Sequence, residues 1–332
     1  MLDFVIRRAV LGVLVLWALS LLSFCALASQ DVDLNRHPLL PQYWTWLKGV
    51  FSGQSVVLVR QPVLSRPNPL AGTTLFDAIG HTVALLAAAL LLVLVFGIGL
   101  ALIAAIRRSS VVDAMLRGIS YVAWAVPAFL LGLLVQKLFN DFGGDFGWGP
   151  FPLAGWPGSC PPALGLDAGV LQGCPAAGSG LSYVGNLFRY LTLPAVTLAV
   201  GFIGLHGRYL RSALLQTLDS PFIVTAHAKG LGERQVVLRH ALRVSLATFL
   251  SAVLSDFGAI FGAALAVDWV YGLNGLGTVL VSDFPGPLQQ APFTNTYSVQ
   301  IVIMIAGAIV LVASFLAELV VAWLDPRVRA PA

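Results

Sequence analysis

Asp256 is the one Asp, Glu, Lys or Arg near the middle of a long apolar run in this sequence. A charge at the centre of a membrane helix costs about 3 kcal/mol on an insertion scale, so such a residue is a functional candidate by default. Ser251, Ser255 and Gly258 are spaced four and three apart and share a helix face of small residues, which Gly262 extends. Three roles fit Asp256: lining a wet translocation path with Ser251, Ser255 and Gly258, bonding structurally to a neighbouring helix, or relaying a proton. A relay needs a second ionisable group at depth, and His206 is the only candidate.

A second constellation is basic. Residues 220–245 read "SPFIVTAHAKGLGERQVVLRHALRVS". Ser220-Pro221 predicts a helix start, with Ser as N-cap and Pro at the first helical position. Phe222, Ile223 and Ala226 give that helix a small apolar face, and Gly230 stops it. Gly232-Glu233 opens a second helix with the acid near its positive end. Arg239 and Arg243 lie on one side and lead into the next apolar run. A basic loop attracted to anionic lipid is the plainer reading, but it does not need the small residues Ala226, Ala228 and Gly230, which admit close approach. The pattern predicts two short helices at a Gly-Leu-Gly elbow, forming a docking surface for a cytoplasmic protein.

Covalent chemistry has no foothold. The lysines are Lys48, Lys137 and Lys229, and none stands in a P-loop. There is no H-E-x-x-H, no cytoplasmic Cys/His cluster and no nucleophile elbow placed for a hydrolase. No catalytic residue, metal site or nucleotide site is assigned. Cys25 lies in an apolar run and is expected to be a small buried hydrophobe. Cys160 and Cys174 share one outer loop, and a disulfide is predicted between them. It would close about 15 residues, worth ~3 kcal/mol in the chain-entropy model. The loop contains no His, so a zinc pair is the weaker reading.

The elements that position these residues follow from composition. The chain of 332 residues is 58% hydrophobic and 10% charged, with a mean hydropathy of +0.87, where soluble domains carry roughly 25% charged residues. An all-α integral membrane protein is expected, since a bilayer core needs ~20 apolar residues per helix and the runs are continuous rather than alternating. Six spans are predicted: Ala9–Ala28, His81–Ile106, Gly118–Gln136, Tyr190–Gly207 (the shortest), Val244–Val267 and Val299–Leu324. Lys and Arg are denser on the side holding Arg7, Arg107, Arg208, Arg234 and Arg327, which places both termini and the basic elbow in the cytoplasm. A cleaved signal sequence ending at Ala26-Leu27-Ala28 is the lesser alternative for the first span. The basic balance follows from topology and implies no nucleic-acid partner.

The chain divides into 1–29 (tail and first span), 30–80 (outer loop), 81–139 (spans two and three), 140–186 (outer loop with the disulfide) and 187–332 (spans four to six with cytoplasmic loop 208–243). In the first outer loop, Trp44, Trp46 and Lys48 predict a short helix, either at the headgroups or packed on the protein's own outer surface. The second is rich in Gly and Pro and is expected to be irregular but ordered, pinned by Trp148 and Trp156.

Three segments carry a family resemblance: "TAHAKGLGERQVVLRHALR", "VDWVYGLNGLGTVLV" and the terminal "LDPRVR". With "RRSSVVDAMLRGISYVAWAVPAFLLGLLV" they make nearly the whole chain resemble the membrane subunit of an ABC importer of the dipeptide/oligopeptide permease family, closest to the first of its two permease subunits. The resemblance implies the type I importer permease fold in a bacterial cytoplasmic membrane. It makes residues 225–243 the cytoplasmic loop whose helix docks on the ATPase, with Thr225, Ala226, His227, Ala228, Lys229, Gly230, Leu231, Arg234 and Arg239 as the coupling residues. Val224 stands where the general motif opens with an acid, and His227 where the peptide branch commonly has Arg. The implied partners are a homologous second permease, two ATPase subunits or one fused ATPase that bind ATP and Mg, an extracytoplasmic binding protein, a peptide and the lipid bilayer. An ion-coupled carrier using Asp256, and a scaffold or channel without an ATPase, are the alternatives.

Overall fold

A computed structural model describes residues 2–28, 38–51, 75–146, 151–157, 179–282 and 296–324. Its helices are α1 Leu2–Ala28, α2 Leu39–Phe51, α3 Leu75–Ile106, α4 Val111–Ala125, α5 Ala128–Phe146, α6 Leu181–Leu218 and α7 Pro221–Ala228. They continue with α8 Glu233–Ser255, α9 Phe257–Tyr271, α10 Leu276–Ser282 and α11 Thr296–Leu324. Among the described residues five helices are long and apolar enough to cross a membrane, six if the bent pair α4–α5 is counted as one span. The protein is therefore a multi-pass, all-helical membrane protein. Cys160, Cys174 and Trp148 lie outside the described residues, and so does the predicted disulfide.

Two of the predicted spans are corrected. The third, expected as one run over Gly118–Gln136, is broken, since α4 and α5 meet at 96°. The cause is Pro127, which disfavours the helical region for the residue before it; Val126 sits at φ −87°, ψ 119°. The Pro127 carbonyl then accepts from Leu131 N at 3.0 Å and starts α5. The fourth span was expected to be the shortest, yet α6 has 38 residues and is the longest helix described. At 1.5 Å per residue it spans about 57 Å, well beyond a bilayer core of ~30 Å. Its ends carry Asn186, Arg189, Arg208 and Arg211, which a search for apolar runs leaves out.

The core lies where α6 packs along α3, with α8 and α9 closing over both. Leu85, Ala89, Leu198, Ala199, Phe249 and Ile260 are all buried there. Small residues let α4 rest on α6. A Cβ added to Gly204 would lie 2.9 Å from the Ser120 carbonyl oxygen, and one on Gly201 3.3 Å from that of Ala123. This is the close approach that small residues permit between membrane helices.

The two ends of the bundle are tied differently. At one end α1 and α11 are joined by an ion pair of Arg8 with Glu318, and Asp113 of α4 takes Arg211 of α6 in two bonds of 2.7 Å each. At the other, Phe24 of α1 stacks edgewise on Tyr43 of α2 at 5.4 Å, with Trp46 beside both. Tyr43 and Trp46 are buried while Trp44 is exposed, with Lys48 over its ring, so α2 packs inward on the protein and keeps one amphipathic face outward. The segment 151–157 is pinned at this end. Trp156 stacks on His81 at 3.8 Å, Gly155 N donates to Tyr271 O, and Gln136 Nε2 donates to Leu153 O and Val270 O. Cys25 is exposed on α1 rather than buried; at membrane depth an apolar thiol needs no cover from protein, because lipid supplies it.

Candidate functional site

The basic stretch folds into an elbow. Ser220 precedes α7 but does not cap it; its Oγ donates back to Thr217 O. After about two turns the eight-residue helix ends in a complete left-handed cap. Leu231 N bonds Ala226 O at 3.4 Å, Gly230 N bonds His227 O at 2.9 Å, and Gly230 takes φ +79°, a conformation that favours glycine. Gly232 then starts α8 with bonds from Gln235 N and Val236 N to its carbonyl. Val236–Ala241 form a π-helical stretch within α8, a form that concentrates at functional sites.

This elbow has an inner and an outer face. Ile223, Ala226, Val236, Val237 and Ala241 are buried, and Thr217 Oγ1 meets Ser245 Oγ at 3.0 Å to tie α6 to α8. Ala226 therefore seats the helix and does not lie on its outer surface. Outside are Phe222 (45% exposed), Val224 (65%) and Leu238 (50%), with Thr225, His227, Ala228, Lys229, Gly230, Arg234 and Arg239 also exposed and Leu231 half-buried. An apolar patch with a basic rim, on a helix clamped to two spans, has the form of an interaction surface.

At membrane depth Asp256 sits where α8 passes into α9. The ladder is kept through it, since Asp256 N donates to Ala252 O and Ile260 N donates to Asp256 O. Its Oδ2 lies 3.2 Å from Nε2 of His206 on α6, which brings together the two groups that the sequence singled out. The small-residue face is divided. Ser251 and Ser255 each donate to a carbonyl one turn back, Ala247 O and Ser251 O, and Gly258 faces Val310 of α11. Gly262, with Ala259, Ala263 and Ala266, instead lines a groove of about 370 Å³ at the α4–α5 bend, walled by Trp124, Pro127, Phe129 and Phe202.

Sequence reading missed Asp268. It is fully buried at the end of α9, and its carboxylate accepts from Gly275 N (3.0 Å), Gly277 N (2.7 Å), Thr278 N (3.2 Å) and Thr278 Oγ1 (3.0 Å). Thr82 Oγ1 accepts from Leu276 N beside it. An acid before a Gly-x-Gly-rich turn was the available signal: a Cβ on Gly275 would meet Asp268 Oδ2 at 2.5 Å, and one on Gly277 the Leu265 carbonyl at 1.9 Å.

Residues 97–330 match a family described as the binding-protein-dependent transport system inner membrane component. A peptide permease protein of Brucella suis is 28% identical, over 99% of this chain and 99% of its own. The oligopeptide transport system permease protein OppB of Mycobacterium bovis is 27% identical over 91% of this chain and 83% of its own. OppB of Escherichia coli K12 is 24% identical over 99% of this chain and all of its own.

Proposed function

The chain belongs to the binding-protein-dependent transport system inner membrane components, and on that premise we propose that it is one permease subunit of an ATP-driven peptide importer. It contributes half of the translocation path and one coupling element. The peptide substrate is supported by the relatives, which are described as peptide or oligopeptide permeases. A second permease, cytoplasmic ATPase subunits holding ATP and Mg, and an extracytoplasmic binding protein complete the assembly. Nucleotide chemistry belongs to the ATPase. The ion-coupled carrier and the free channel are not favoured by family membership.

The observation that carries the coupling role is the elbow itself. Movement of an ATPase reaches the membrane only through something stiff. Here α7 is capped at Gly230, buried on Ile223 and Ala226, and runs within a few residues into α8. Its outer face leaves Phe222 and Val224 exposed.

Val224→Arg tests this reading. The residue is exposed, so insertion and yield stay at wild-type level. A charge placed in the apolar contact abolishes co-purification of the ATPase subunits with the permease pair, and uptake falls to background. Wild-type co-purification and uptake in this variant would overturn the docking assignment.

A further inference from the structure

Arg117, Arg208 and Arg211 converge on one shallow cleft between α3, α4 and α6, walled otherwise by Leu100, Ala104 and Leu116. Among the described residues the acid bonded to this group is Asp113. It is wholly buried, and both its carboxylate oxygens accept from Arg211 at 2.7 Å. Arg117 Nη2 stays 3.7 Å from that carboxylate, and Arg117 Nε reaches only the Asp113 backbone carbonyl, at 3.4 Å. One carboxylate therefore answers three guanidinium groups. Arg107 and Arg108, both exposed, add to the positive surface at the adjoining turn from α3 to α4.

Arg208 is the informative member. Its guanidinium carbon lies 4.0 Å from the ring centre of Tyr121 on α4, a cation–π contact. Stacking occupies the face of the guanidinium and leaves its edge of N–H donors to find acceptors. Arg208 Nε is nonetheless buried with no hydrogen-bond partner among the described residues, a costly state for a charged donor. Depth sharpens the point. A Cβ on Gly207 would touch Gly97 and Leu100 of α3, and α3 runs on to Ile106. Arg208 thus lies about two turns inside the end of that helix, nearer the lipid than Arg107.

We propose that this cleft binds the phosphate of an anionic phospholipid and so ties α4 to α6 beside the Asp113–Arg211 pair. Guanidinium forks match phosphate oxygens in pairs, and basic pockets between spanning helices suit such headgroups. The surroundings favour a lipid over a soluble anion, because Leu100, Ala104 and Leu116 offer acyl chains an apolar wall and Tyr121 beside them is 62% exposed. An acidic protein segment would meet Arg107 and Arg108 at the helix ends before it reached Arg208. The site needs only that these helices cross a bilayer, and it is separate from the elbow on α7 and α8.

The test is native mass spectrometry of the purified permease with its co-purifying subunits, titrated in detergent with dioleoylphosphatidylglycerol or dioleoylphosphatidylcholine. Phosphatidylglycerol is expected to bind at least tenfold more tightly. Arg208→Gln weakens that binding about tenfold, the loss of one charge-assisted contact, and Arg208→Lys weakens it less, since it keeps the charge without the fork. Arg117→Gln alters a side chain 47% exposed, so folding tolerates it, and it weakens binding about threefold. Arg108→Gln stays within twofold of wild type, because an exposed charge is screened. Equal binding of the two lipids, or equal losses in Arg208→Gln and Arg108→Gln, would mean diffuse attraction to a basic surface and overturn the proposal. Displacement of phosphatidylglycerol by millimolar inorganic phosphate would make this a soluble-anion site and overturn it too. Binding indifferent to both Arg208→Gln and Arg117→Gln would give the cleft to a partner chain instead.

Discussion

Asp268 shows how one buried acid can hold an element. Three backbone N–H groups and one hydroxyl converge on its carboxylate, so it organises the first turn of α10 and the passage from α9. Asp268→Ala leaves those donors buried without acceptors, at about 1–3 kcal/mol for each group that water cannot reach. The expected outcome is destabilisation by about 3 kcal/mol, measured as a lower unfolding temperature of the purified protein in detergent. Gly277→Ala is expected to be worse, because its Cβ would collide with the Leu265 backbone, and backbone cannot step aside as a side chain can. Asp256 was legible in the sequence because it is alone in an apolar run. Asp268 was not, because it lies one residue past the predicted end of that run and reads as the start of a loop. Only the fold shows that the glycines after it turn their N–H groups back onto it.

At the scale of elements, Pro127 makes the clearest wager. It is plain in the sequence, yet hydropathy sums straight across it and so predicts one straight span where α4 and α5 bend. The same blindness shortened α6: a window sees only the lipid-depth part of a helix, and Arg208 and Arg211 lie past it. The elbow was more legible, since Pro221, Gly230 and Gly232 mark helix starts and stops by their own backbone limits. Its π stretch was not, because nothing in "VVLRHA" distinguishes π from α winding. Pro127→Ala restores a backbone donor and frees Val126 for helix. Spin labels on Met115→Cys and Lys137→Cys, both exposed positions, are expected to move apart toward about 33 Å, the length of a straight helix of that span. The groove at the bend then opens, and peptide uptake drops at least tenfold, by about 1.4 kcal/mol or more of lost coupling. An unchanged distance distribution would mean that packing on α6, rather than Pro127, sets the bend.

For the whole molecule, the two ends have opposite characters, and that asymmetry fixes which way it sits. The end with the elbow gathers Arg208, Arg211, Arg234, Arg239 and Arg243. The other end presents α2, with the aromatic cluster of Phe24, Tyr43 and Trp46, and the pinned segment at Trp156. Positive residues remain on the cytoplasmic side of a membrane protein as it inserts, so the elbow is expected to face the cytoplasm, where the proposed ATPase would reach it, and α2 the opposite side, where the proposed binding protein would deliver. The orientation is tested in a variant whose native cysteines are replaced. The Leu40→Cys thiol, at a position 74% exposed, is expected to react with a membrane-impermeant maleimide in right-side-out vesicles. The Lys229→Cys thiol, exposed on the elbow, reacts only after the vesicles are permeabilised. Addition of the ATPase subunits to permeabilised vesicles then slows labelling at Lys229→Cys and leaves Leu40→Cys unchanged. Labelling of both thiols from the outside would place the elbow on the wrong side of the membrane for any ATPase, and the coupling role would fall with it.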